Sequence, residues 1–190
     1  LYNLSNGAYG IHPSLLPKYK GGSPLSNSII NGDKIIGTTF FKFTDKIDSG
    51  PILDQFKFKL KRHENIKNAL NIIEKYYIQN LEKIFKKIIK KKYLKINNKL
   101  TNQIYKIRNI KDNWIDFTQD SNQINNFIRA ISYPYPGALM KINNQMVIID
   151  ECVQLKKKIK LIIGKIYVIK KNKKLVLACK DDNLLEITKL

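Results

Sequence analysis

Apolar positions along this chain recur at two spacings, and the change between them marks its organisation. Ile66, Leu70, Ile73, Tyr77, Leu81 and Ile84 fall three or four residues apart, which predicts one long helix over 63–90 with a single apolar face. Before it, Ile52, Asp54, Phe56 and Phe58 alternate with Leu53, Gln55, Lys57 and Lys59, the pattern of a half-buried strand over 52–60. A run rich in Ile, Thr and Phe over 35–43 reads as a second strand, and 8–12 as the end of another. Pro24 sits in the first turn of a short helix over 24–30, which Asn31-Gly32-Asp33 stops. A further helix is expected over 121–131, capped by Asp120 or Ser121. After the stiff turn Tyr133-Pro134-Tyr135-Pro136-Gly137, short strands are expected at 139–142, 146–149, 159–169, 175–179 and 184–187. Asn143-Asn144 and Lys171-Asn172-Lys173 are the turn signals between them.

The first half therefore reads as α/β and the second as a small antiparallel barrel. Two or three strands with their helices do not close a doubly wound sheet, so further strands are expected before Leu1. The expected division is a partial α/β domain over 1–92, a basic linker over 93–111 and a β domain over 112–190. The two cysteines, Cys152 and Cys179, lie far apart and outside metal-ligand spacing; reduced thiols and a cytoplasmic protein are the expectation. No run of about 18 uncharged apolar residues is present, so no membrane span is expected.

The formal net charge of +20 is unevenly spread. Residues 1–50 carry 5 basic and 3 acidic side chains, 51–100 carry 14 and 4, and 101–190 carry 16 and 8. A basic surface favours anionic partners such as nucleic acid or phosphorylated small molecules. The same excess is what an AT-biased coding sequence, rich in Lys, Ile and Asn, produces, and nearly all of it is Lys rather than the Arg that grips phosphate bidentately. Both explanations stand at this level.

The chemistry concentrates in the nearly neutral first segment. His12 ends an apolar run and enters the loop Pro13-Ser14-Leu15-Leu16-Pro17, which continues to Gly21, Gly22 and Pro24. Asp48 lies 36 residues on, in Ile47-Asp48-Ser49-Gly50-Pro51 at the end of another strand. An imidazole and a carboxylate meeting at strand ends can move protons around an amine attacking a carbonyl.

These stretches resemble the formyltransferase signature. Ile115-Asp116-Phe117, Ile128-Arg129-Ala130 and Pro134-Tyr135-Pro136-Gly137-Ala138 resemble the C-terminal domain of methionyl-tRNA formyltransferases and related sugar formyltransferases. The resemblance implies the C-terminal part of a Rossmann-like catalytic domain followed by an OB-like β-barrel. It implies formyl transfer from 10-formyltetrahydrofolate to a primary amine, with no metal needed. His12 would stabilise the oxyanion, and Asp48 would hold the imidazole and accept the amine's proton. Ser14, Leu15, Leu16 and Pro17 would shape the pterin pocket.

One departure from the family matters: Gly10 stands where an Asn usually gives the oxyanion a second donor. The acceptor is either an amino-sugar nucleotide or initiator methionyl-tRNA. Gly10, Gly22-Ser23-Pro24 and Tyr133-Pro134-Tyr135-Pro136-Gly137 resemble the sugar branch more, whereas a tRNA would use the Lys-rich surface. A reading of another class is a non-catalytic, basic nucleic-acid-binding protein of OB type. Among other residues, Asp45 reads as a surface turn residue and His63 as a residue without a partner. Trp114 reads as a packing anchor, and Arg129 as either a phosphate contact or a structural ion pair. The sequence leaves the oligomeric state open.

Overall fold

The computed structural model describes residues 7–95, 103–169 and 173–190. They divide into two compact units. The first comprises the described residues of 1–28, 33–61 and 68–108, and the second those of 29–32, 62–67 and 109–190. Part of the expected linker, 96–102, and most of the expected Lys171-Asn172-Lys173 turn lie outside the described residues.

The first unit is built on a three-stranded sheet in the order β1 (Tyr9–His12), β3 (Ile36–Lys42), β4 (Ile52–Phe58). Both ladders are antiparallel, with His12 opposite Thr39 and Thr39 opposite Gln55. This sheet holds no parallel pair, so it does not itself include the parallel, doubly wound part of the Rossmann-like expectation. The turn helix α1 (Pro24–Ile30) begins and ends where Pro24 and Asn31-Gly32 predict. The long helix α2 (Ile66–Ile89) starts three residues later than expected. Of its expected apolar face, Ile66, Ile73, Tyr77 and Ile84 are buried, but Leu81 is 52% exposed. At 100° per residue Leu81 falls on the flank of that stripe, and its outward neighbours Ile78 and Phe85 are exposed with it.

Helix α2 is held to the sheet by aromatic and polar contacts. The Tyr76 ring stacks on Phe56 at 4.1 Å. Tyr76 Oη and Lys87 Nζ both donate to the buried Asp54 carboxylate. A buried carboxylate needs such partners, since desolvating it unpaired is costly. Asp54 therefore faces α2 from the strand face that the alternation assigned to it.

In the second unit, α3 (Ser121–Ile131) has the predicted bounds and a reciprocal capping box between Asp120 and Gln123. It packs on a four-stranded antiparallel sheet in the order β8 (Glu151–Lys158), β11 (Asn183–Lys189), β10 (Lys174–Ala178), β9 (Ile166–Ile169). Val176, Ala178 and Leu184 gather Leu155, Ile159, Leu161 and Tyr167 on one side of it. The hairpin β6 (Ala138–Ile142) and β7 (Gln145–Ile149) forms a separate sheet. Its two-residue turn, Asn143-Asn144, has φ of 48° and 64°, the left-handed pair that a tight hairpin requires. Among the described residues the two sheets are not laddered together, and no closed barrel is seen.

The strand expected over 159–169 is corrected. The pairing strand is β8, and β9 begins only at Ile166. The inward positions of β8 are Cys152 and Gln154, which bond to Asn125 and Ser121 of α3. These polar side chains break the apolar alternation that would have marked the strand. Ile162 and Ile163 are exposed loop residues.

Trp114 is also corrected: it is 41% exposed and carries Lys141 Nζ 5.8 Å from its ring centroid, whereas the adjacent Ile115 is the buried residue. Arg129 donates to the Glu64 carbonyl and to Asn126 Oδ1, two bonds internal to the unit. Among the described residues, no helix is long and apolar enough to cross a membrane.

Cys152 and Cys179 are both free, and burial pushes each thiol up to about 12 from 9.0. Since the thiolate is the reactive form, the native chain at pH 8 is expected to react with an aromatic disulfide reagent about a thousandfold more slowly than the urea-unfolded chain. A native rate within tenfold of the unfolded one contradicts this. The sign for stability follows: as pH rises from 9 towards 12, the unfolded chain releases these protons first and the folded state loses ground.

Candidate active site

His12 is the last residue of β1 and only 6% exposed. The Thr38 hydroxyl donates to its carbonyl, and its ring meets Phe41 edge-on at 6.4 Å. Both ring nitrogens face protein partners. Nε2 donates to the Tyr19 carbonyl at 2.9 Å, and Nδ1 stands 3.5 Å from Asp48 Oδ2. The carbonyl only accepts, so Nε2 carries a proton. A neutral ring in that tautomer would meet the carboxylate lone pair to lone pair. At 3.5 Å the Nδ1–Oδ2 contact is an ion pair when the ring carries both protons.

Asp48 reaches His12 because its backbone is left-handed, φ 45°, a conformation that Asp tolerates better than most residues. Its turn-forming character and its pairing with His12 are thus one feature. Gly21 N donates to Oδ2 at 2.7 Å, a charge-assisted bond that fixes the carboxylate's direction. No hydrogen bond to Oδ1 is made among the described residues. Lys20 Nζ donates to Ser49 Oγ, which in turn donates to the Ile47 carbonyl. The loop turns tightly against β3: Lys42 N donates to Pro51 O, and a Cβ at Gly50 would overlap the Lys42 carbonyl oxygen.

The segment expected to shape a pterin pocket is turned largely inward. Ser14 Oγ donates to Lys18 O, and Thr39 Oγ1 donates to Ser14 O while accepting from Leu16 N. Gln55 Nε2 donates to Leu16 O. Leu16 belongs to a core cluster with Phe41 and Ile52, Pro17 is buried, and Leu15 is half-buried. The cavity beside Ser14 and Leu15 measures about 20 Å³, room for about one water. The described residues do not by themselves enclose a pterin.

Gly10 lies beneath an exposed aromatic side chain. Phe43 lies over it, and a Cβ at position 10 would require that ring to turn aside. Asp45 and His63 are exposed and outside the constellation. A larger cleft, about 510 Å³, lies in the second unit among Trp114, Asp116, Gln123, Asn126 and Phe127, and includes neither His12 nor Asp48.

His12 and Asp48, the two side chains singled out by sequence, are brought together. Tyr19, which holds His12, was missed, and Gly21, quoted within the signature, was given no role, because they act through a carbonyl and an amide that any residue has. Thr39 and Gln55 had a faint signal, as polar residues within strands otherwise read as apolar.

Comparison with known proteins follows the same division. Residues 2–83 match the family Formyl transferase, and residues 108–190 match Formyl transferase, C-terminal domain. Among relatives, the bifunctional polymyxin resistance protein ArnA of Wigglesworthia glossinidia brevipalpis is 37% identical over 145 residues, 75% of this chain and 22% of that protein. The methionyl-tRNA formyltransferase of Pseudothermotoga lettingae is 32% identical over 154 residues, 80% of this chain and 49% of that protein. The chain thus spans half or less of these relatives. Among solved structures, WlaRD, a sugar 3N-formyl transferase crystallised with dTDP and 5-N-formyl-THF, superposes with a TM-score of 0.73. That pair is 25% identical, covering 96% of this chain and 65% of WlaRD. An N-formyltransferase from Helicobacter canadensis shares the fold at a TM-score of 0.71 and 23% identity, covering 96% of this chain and 66% of that one. With both halves matched in order on one chain, the protein belongs to the formyl transferase family.

Proposed function

We propose that the protein is an N-formyltransferase that moves a formyl group from 10-formyltetrahydrofolate to a primary amine. The observation that carries this reading is the His12–Asp48 contact, held by Tyr19 O and Gly21 N. The donor supplies the formyl carbon. Asp48 receives the amine's proton on Oδ1 as the new C–N bond forms; collapse of the tetrahedral adduct then breaks the formyl carbon's bond to the donor nitrogen, which takes up that proton and leaves as tetrahydrofolate. An imidazolium at His12 puts positive charge beside the oxygen that gathers negative charge. Tyr19 O keeps the ring from turning, and Gly21 N keeps Oδ2 engaged, leaving Oδ1 for the proton. Ser14, Leu15, Leu16 and Pro17 are assigned to the donor's edge of the site, with half-buried Leu15 offering the most surface.

The assigned acceptor is an amino-sugar nucleotide. Support comes from WlaRD, a sugar 3N-formyl transferase that superposes on nearly the whole chain. The second reading, initiator methionyl-tRNA, is favoured by the methionyl-tRNA formyltransferase relatives and by the +20 charge. The division into 1–92, 93–111 and 112–190, the OB-like character of the last part and a cytoplasmic location accompany this proposal.

The test is to supply the protein with 10-formyltetrahydrofolate and each acceptor in turn, following tetrahydrofolate release. Release with the amino-sugar nucleotide is expected. Release only with charged tRNA moves the acceptor to the second reading. Salt-dependent tRNA binding with no release from either acceptor overturns the enzyme in favour of a nucleic-acid-binding protein.

A further inference from the structure

A segment that the sequence assigns to the linker closes over the residues that hold His12 and Asp48. Strand β5 (Ile104–Tyr105) pairs in parallel with β2 (Lys20–Gly21), Ile104 opposite Lys20 and Tyr105 opposite Gly21. Gly22 N donates to Tyr105 O at 2.8 Å, and Arg108 N donates to Ser23 Oγ at 3.0 Å. The Tyr105 ring lies against the Tyr19 ring, centroids 5.4 Å apart. The approach is backbone on backbone: a Cβ on Gly22 would overlap the Ile107 amide nitrogen and Cα.

The contacted residues are the ones the pair depends on. Tyr19 supplies the carbonyl that takes the His12 Nε2 proton, and Gly21 supplies the amide that holds Asp48 Oδ2. Tyr19 also has a left-handed backbone, φ 58°, which a tyrosine adopts only when its surroundings impose it. On one side its hydroxyl donates to Asp33; on the other its ring rests on Tyr105.

We propose that residues 104–108 form a positioning strap, which fixes Tyr19 and Gly21 and through them the tautomer of His12 and the direction of Asp48. Tyr105 is its principal side chain, since Ile104 and Ile107 are exposed. The catalytic consequence rests on the formyl-transfer reading; the geometric consequence does not.

The experiment is proton exchange by NMR on the whole chain, read at His12 Nε2–H, Gly21 N–H and Gly22 N–H. His63, the other of two histidines, serves as reference. In Tyr105→Ala and in Gly22→Ala, the His12 and Gly21 protons are expected to exchange at least about tenfold faster, with α3 amides unchanged. Tyr105→Phe, which keeps the ring, is expected to restore wild-type exchange. In the transfer assay, Tyr105→Ala is expected to lower kcat about tenfold at unchanged acceptor KM, the signature of misplacement rather than lost binding. Faster exchange at Gly22 alone, with His12 and Gly21 unaffected, overturns the strap. Because the exchange measurement needs no turnover, it decides the strap even if formyl transfer fails.

Discussion

Asp48→Asn is expected to lower formyl transfer by about a thousandfold while leaving the unfolding midpoint in urea where it was. Asparagine matches aspartate in size and tolerates the left-handed backbone at φ 45°, so the loop should keep its course. An amide oxygen can still accept from Gly21 N. What disappears is the negative charge beside His12 and the oxygen able to take up the amine's proton. Asp48→Ala would not separate these effects, because it also removes the acceptor for Gly21. The measurement is initial-rate tetrahydrofolate release, paired with a urea titration of the same preparation. A loss under tenfold with an unchanged midpoint removes Asp48 from proton transfer.

Gly50→Ala is expected to cost both stability and activity. The added methyl would overlap the Lys42 carbonyl oxygen, a backbone atom fixed within the sheet and unable to swing aside. Overpacking of this kind costs about 1–3 kcal/mol. Relief has to come from the loop, which lifts from β3 and takes Asp48, two residues away, out of reach of His12. The unfolding free energy from a urea titration should fall by that amount, and transfer should drop by about a hundredfold. Ser49→Ala is the control, because Ser49 Oγ joins only Lys20 and the Ile47 carbonyl at the loop's rim. If Gly50→Ala matches wild type in both measurements, the tight crossing does not place Asp48.

Much of the fold could be read from local chemistry. α1 and α3 lie where Pro24, Asn31-Gly32 and Asp120 put their ends, because capping is decided within a few residues. The Asn143-Asn144 hairpin was legible for the same reason. β8 was not, because Cys152 and Gln154 fill its inward positions through hydrogen bonds to α3, and such partners are set by tertiary contact. The two-residue strands β2 and β5 are too short to carry any period. The site divides similarly. His12 and Asp48 declare themselves by residue type, whereas Tyr19 and Gly21 serve through backbone groups. Phe43 over Gly10 is a packing relation between two strands that neither residue reveals alone.

The exposure of Trp114 has an optical consequence. It is the chain's one tryptophan, and it stands in the second unit, partly in water and close to a lysine ammonium. Its emission therefore belongs to a wet, electropositive indole, open to iodide more than to caesium. The signal reports on the second unit and says nothing directly of His12 or Asp48. An unfolding curve followed by fluorescence and one followed by activity are thus observations of different halves of one polypeptide.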